Sequence, residues 1–272
     1  MIDLIYCLFL SLIIVIPVIN LMACKTSGIV RSKFILTGHR GAGGIAPENT
    51  IAAIDSGIAE HADWVEIDIR QTKDGHIVVM HDETINRTTN GKGKVQELTL
   101  AGIRSFNVTG FKVGDVAFAK VPLLTEVIEK VKSANVKLLI EIKYPESYPG
   151  MVEQLISILE AEPDLSKFMV FSFDRKCLVQ VKKALPGITT GVFCLGYEGL
   201  GKFDDLGISY ICPFWPSLLY RPGLVAAIHN KKLKILVWTV DHAWAMRYVI
   251  GKSVDGLITN RPDVFNSIEL NK

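Results

Sequence analysis

Phe34-Ile35-Leu36-Thr37-Gly38-His39-Arg40-Gly41-Ala42-Gly43-Gly44-Ile45-Ala46-Pro47-Glu48-Asn49-Thr50 is the stretch around which the rest of the chain is organised. Its first five residues make a short apolar run of the kind that forms a buried strand. Beyond the glycine-rich segment, residues 51–58 are apolar at helical spacing, with Asn49 or Thr50 as the cap. Strand, turn and helix in this order open an α/β fold. A histidine and an arginine stand where the strand ends, which is where α/β folds place their chemistry. The planar fork of Arg40 suits a phosphate or carboxylate. His39 suits proton transfer near neutral pH.

Outward from this stretch the same alternation repeats. Strand candidates lie at 34–38, 64–70, 77–80, 137–143, 168–172, 189–193, 209–212, 234–239 and 255–259. Helical runs lie between most of them, at 124–131, 151–159, 176–185, 224–230 and 243–250. Repeated strand–helix units predict a parallel sheet with right-handed crossovers, and their number predicts a closed TIM (β/α)8 barrel. There is one candidate too many. The run 77–80 follows the strand before it too closely for a helical crossover, so it is either an irregular barrel strand or an addition to the barrel. The length of 272 residues fits one such domain, and 49% hydrophobic content supplies its core. A net charge of +2 excludes a surface built to wrap a polyanion, so no nucleic-acid partner is expected, but it leaves room for a local anion site.

Between residues 2 and 23 the only charge is Asp3, and the apolar run is about long enough to span a bilayer at ~20 residues. It ends in Leu21-Met22-Ala23-Cys24-Lys25, which resembles the bacterial lipobox, with Cys24 as the lipidated residue. The alternative is an uncleaved anchor helix. The expected organisation is a leader or anchor at 1–23, a tether at 24–33 and the barrel at 34–272, with an insertion at about 83–121. The protein is then exported and held to a membrane by lipid or by its N-terminus.

Several polar residues fall at strand ends, the active-site rim of such a barrel. Glu66 and Asp68 are two apart on one strand and share a face. Either they hold a hard divalent cation or they face solvent on an amphipathic edge strand. Glu141 and Lys143 repeat that spacing, as an ion pair or as a further metal ligand with a phosphate contact. His81 follows the 77–80 run directly and gains weight from its counterpart His39. Trp238 is either core or a wall for an organic substrate. The excursion 83–121 is long enough to be functional and is expected to cap the site. Its Phe106, Phe111 and Phe118 either line a groove or form its own small core, the simpler of the two. Cys194 and Cys212 end successive strands, as free thiols or as a disulfide. The sequons at Asn86 and Asn107 are taken as chance.

The ordered set of motifs resembles one family, the glycerophosphodiester phosphodiesterases. It comprises His39-Arg40-Gly41 with Pro47-Glu48-Asn49-Thr50, Glu66-Ile67-Asp68, and Thr72-Lys73-Asp74-Gly75 with Val79-Met80-His81-Asp82 and Arg87-Thr88-Thr89-Asn90-Gly91. Glu141-Ile142-Lys143, Val237-Trp238-Thr239 and Asp255-Gly256-Leu257-Ile258-Thr259-Asn260-Arg261-Pro262 complete it. The resemblance implies a TIM barrel and a divalent metal, Ca2+ or Mg2+, on Glu66, Asp68 and Glu141. It implies His39 and His81 as the acid–base pair, Arg40 and Lys143 as phosphate contacts, and Glu48 as support. The expected reaction is hydrolysis of a glycerophosphodiester to glycerol 3-phosphate and an alcohol. Lysophospholipase D or phospholipase C-like action on intact lipids, and a non-catalytic surface binding protein, are the alternatives.

Overall fold

The computed structural model describes residues 31–109, 119–134 and 136–268. The leader, Cys24, Phe111 and Phe118 lie outside the described residues. Among the described residues nine strands follow one another: β1 (Ile35–Gly38), β2 (Trp64–Gln71), β3 (Ile77–Val79), β4 (Lys137–Ile142), β5 (Phe168–Ser172), β6 (Thr189–Cys194), β7 (Tyr210–Pro213), β8 (Lys234–Val237) and β9 (Gly256–Thr259). Eight are parallel and close into a ring, β1-β9-β8-β7-β6-β5-β4-β2, sealed by β1 against β2. Helices, among them Ile51–Ala59, Leu124–Ala134, Met151–Glu160 and Arg175–Ala184, pack on the outside. This is the (β/α)8 barrel expected from the alternation of elements.

The surplus strand is β3. It pairs antiparallel with β2, Ile69 opposite Val79 and Gln71 opposite Ile77, and stands outside the ring. The physical reason is the link at 72–76, which turns through Gly75 at φ +79° and has no room for a helix. β2 is the longest strand because its C-terminal half serves both the barrel and this hairpin.

Side chains alternate across each barrel strand. In β2, Val65, Ile67 and Ile69 point to the helices, while Trp64 points into the barrel. In β4, Leu138, Ile140 and Ile142 face outward and Leu139 inward. Leu139, Met169, Phe171, Phe193, Tyr210, Leu236 and Ile258 fill the interior. Phe171 needs Gly191 on the neighbouring strand, since a Cβ there would sit 2.4 Å from the ring. Cys194 and Cys212 fall on opposite sides of the sheet, in the outer and inner layers, and both are free thiols. The segment after β3 builds a satellite core from Ile85, Val95, Ile103 and Val121, with Val78 and Met80 at its base. Phe106 packs against that core, so it serves the insertion itself.

Candidate active site

The turn after β1 is shaped by its backbone. Arg40 adopts φ 53° and Gly41 φ 87°, and a Cβ on Gly41 would lie 2.5 Å from the Ala53 backbone of the following helix. The turn therefore lies flat on that helix and delivers Arg40 to the barrel mouth. There the Arg40 backbone N–H donates to Glu66 Oε2 at 2.7 Å. The side chain turns to Glu48, with Nη1 2.7 Å from Oε1, and its Nε lies 3.5 Å from Asp68 Oδ2. Thr50 caps the helix, accepting from the Ala53 N–H. Asn49 does something else: its Nδ2 donates to Asp68 Oδ2 at 2.8 Å, and its Oδ1 accepts from the Asp68 N–H.

Alternation in β2 turns Glu66 and Asp68 inward with Trp64, and the β2–β4 register sets Asp68 beside Glu141. Ligand atoms of Glu66, Asp68 and Glu141 lie within 4.8 Å of one another. The three residues are 0%, 0% and 5% exposed, which rules out the solvent-facing edge strand. Burial, with Asp68 and Glu141 close by, pushes the Glu66 carboxyl well above the usual range. Burial likewise pushes Glu141 up to about 7, against the pull of Lys143. Asp68 is as deeply buried, yet Lys143 and Arg40 overcome that and hold it below the ordinary carboxylate range. Lys143 Nζ sits 2.7 Å from Glu141 Oε1 and 3.1 Å from Asp68 Oδ1. Even so, Glu66 Oε1 is buried with no partner, and Asp68 Oδ1 has no aligned hydrogen bond. Clustered, under-satisfied carboxylate oxygens are the donor set that a hard divalent cation takes.

Two imidazoles flank this cluster, and each feels the charges of Asp68, Arg40 and Lys143. His39 Nε2 lies 3.9 Å from Glu66 Oε2. Its Nδ1 is 2.8 Å from Asn260 Oδ1, whose Nδ2 donates to Asp241 Oδ2 at 2.8 Å. Asp241 also accepts from the Asn260 N–H, so the amide is held with its oxygen toward the ring. His39 Nδ1 is then the protonated nitrogen and Nε2 the free one. Burial and the adjacent Arg40 lower His39 to about 4, so it is neutral at pH 7. His81 Nδ1 is 2.7 Å from Asp82 Oδ1. Asp82 is clamped by Arg87, whose guanidinium also bonds both oxygens of Glu48. Burial lowers His81 as well, while Asp82 works in the opposite direction.

The structure thus brings His39, Arg40, Glu48, Glu66, Asp68, His81, Glu141 and Lys143 to one mouth. Trp238 is half-buried at the same rim, its indole N–H donating to the Cys212 carbonyl at 2.7 Å. Phe173, Phe193 and Phe214 lie against it at 5.3–5.7 Å between ring centroids. Ser172, another strand-end residue, donates to the Ile142 carbonyl and serves the backbone. Asp82 and Arg87 stand in the sequence motifs without a role of their own, and Asp241 stands outside them. Asp82 had a local signal, standing next to His81. Arg87 was hidden within a sequon, and nothing near Asp241 marks it.

Residues 39–264 match the model of the glycerophosphoryl diester phosphodiesterase family. The chain belongs to that family. A glycerophosphodiester phosphodiesterase of Caldanaerobacter subterraneus is 35% identical over 235 residues, covering 85% of this chain and 96% of its own. One of Bacillus subtilis is 32% identical over 269 residues, covering 91% and 90%. The crystal structure of an Agrobacterium tumefaciens glycerophosphodiester phosphodiesterase, 29% identical, superposes with a TM-score of 0.72 over 87% of this chain and all of that one. An Oleispira antarctica phosphodiesterase solved with the product sn-glycerol-3-phosphate shares the fold at a TM-score of 0.77, with 23% identity over 86% of this chain and 97% of that one.

Proposed function

We propose that this chain hydrolyses glycerophosphodiesters to glycerol 3-phosphate and an alcohol, with Glu66, Asp68 and Glu141 holding Ca2+ or Mg2+. The observation that carries this is the buried three-carboxylate cluster with its orphaned Glu66 oxygen, flanked by two imidazoles. The relatives' activity, and the product bound to the Oleispira protein, support the choice of substrate. When bound, a hard divalent cation supplies the positive charge that a phosphodiester's oxygens need as the transition state forms.

The chain's own groups do the rest. Arg40 and Lys143 contact the phosphate oxygens and hold the phosphorus at the mouth. His39 acts as base, because its Nε2 carries a free pair while Nδ1 is tied to an uncharged amide. His81 acts as acid, because the Asp82 carboxylate on its Nδ1 stabilises the imidazolium. The attacking oxygen is the glycerol hydroxyl next to the phosphate: His39 takes its proton as the new P–O bond forms, the P–O bond to the alcohol breaks, and His81 protonates the departing oxygen, leaving a cyclic phosphate that water opens with the roles of the two imidazoles reversed. Trp238 forms a wall for the organic part. The N-terminal segment holds the enzyme to the outer side of a membrane through Cys24 or the 1–23 anchor, and Cys24→Ser should abolish labelling with a radioactive fatty acid.

The deciding assay uses the full chain in detergent with Mg2+ or Ca2+ and follows release of sn-glycerol 3-phosphate from glycerophosphodiesters. Release that chelation stops and added cation restores is expected. No release with either cation would sink the proposal.

A further inference from the structure

A cavity of about 460 Å³ opens from the catalytic groups His81, Glu141 and Lys143 toward the loops after β4 and β5. Beyond those three residues, and with Ile142, Pro145 and Ser172 between them, its walls carry two notable kinds of side chain. Tyr144, Phe173 and Trp238 supply aromatic surface, with Tyr144 62% and Phe173 46% exposed. Glu146 and Asp174 supply carboxylates. Neither carboxylate has a cationic partner among the described residues. Asp174 only caps the following helix, accepting from the Cys177 N–H. Lys143, which also lines the cavity, is already shared between Asp68 and Glu141, and His81 is paired with Asp82.

Beside a phosphodiester, which is itself an anion, two unneutralised carboxylates are unfavourable unless the substrate brings its own positive charge. An acyl chain would gain from the rings but would strip water from both carboxylates. An uncharged polyol would gain nothing from their charge. An ammonium gains from both, by Coulomb attraction and by lying over ring faces. Tyr144 already shows this affinity within the protein, with the Arg70 guanidinium 5.4 Å from its ring centre.

We propose that this cavity is the subsite for the leaving alcohol and that it selects alcohols carrying an ammonium group. The inference rests on the hydrolytic reading above and adds its specificity: Glu146 and Asp174 set the charge preference, and Tyr144, Phe173 and Trp238 form the box.

The test compares kcat/KM of the full chain for sn-glycero-3-phosphocholine and for sn-glycero-3-phosphoglycerol, whose leaving alcohol is uncharged. The choline diester should be favoured about tenfold, mostly through KM, with the ratio shrinking as salt rises. Glu146→Gln with Asp174→Asn, where asparagine keeps the helix cap, should bring the ratio to within about twofold. Choline should inhibit the wild type competitively and the double variant several-fold more weakly. A wild-type ratio near one, or a tenfold ratio that survives both substitutions, would overturn the subsite while leaving the hydrolytic function standing. No turnover of either diester would remove both.

Discussion

His39 and His81 sit on matching sides of one acid cluster, but their far nitrogens meet different partners: an amide held by Asp241, and a carboxylate held by Arg87. That difference is the basis of the proposed base and acid roles. His39→Ala and His81→Ala should each lower kcat by about 10²–10⁴-fold, with circular dichroism and melting temperature close to wild type. A variant that keeps most of its turnover would lose its assigned role. Glu66→Gln should weaken cation binding by about tenfold or more in calorimetric titration, since even loss of an outer-shell partner costs about 10–100-fold. At this scale the sequence was legible wherever residue type and spacing agree. Glu66 and Asp68, two apart on a strand, point one way whatever the rest of the fold does. Asp241 was not legible, because it acts only through Asn260, and only the pairing of strands brings Asn260 to His39.

Among the elements, the turn after β1 carries the tightest constraint. Gly41 has a positive φ and lies directly on helix backbone, so Gly41→Ala meets strain and collision together. The expected loss is about 2 kcal/mol or more in urea unfolding, and a loss under ~0.5 kcal/mol would mean that the turn yields. Most strands and helices were legible because their periods are clean, and Leu224–Asn230 and Ala243–Ile250 match the sequence periodicity end to end. β3 was left open for a physical reason. Three buried apolar residues read alike in a parallel or an antiparallel pairing, and the short link at 72–76 decides between them.

At the scale of the whole molecule, the proposed cation site is coupled to protons. Burial pushes Glu141 up to about 7 and Glu66 well above its usual range, so at pH 6 these carboxyls favour a proton that a cation must displace. The sign follows: affinity rises as pH increases toward and through 7, by up to about tenfold per unit for one proton released. Calorimetry at pH 6 in two buffers of different ionisation enthalpy should show net proton release that shrinks as the pH is raised. Proton-neutral binding at pH 6 would contradict the raised Glu141. Cation should also raise the melting temperature in a concentration-dependent way, since it binds only the assembled site.

The ring also has two unlike halves. Every group with a proposed part in bond making and breaking comes from residues 39–143, on β1, β2, β3 and β4 and the turns behind them, whereas the aromatic arc of Phe173, Phe193, Phe214 and Trp238 comes from β5 to β8. The reacting groups therefore precede most of the ring wall along the chain, with Tyr144 and Glu146 of the proposed subsite directly after Lys143. A chimaera joined within the loop at residues 161–164, taking its second half from a relative, should retain Tyr144 and Glu146, change the ring wall around the leaving alcohol, and keep this protein's reaction, provided that an asparagine still follows β9 to meet His39.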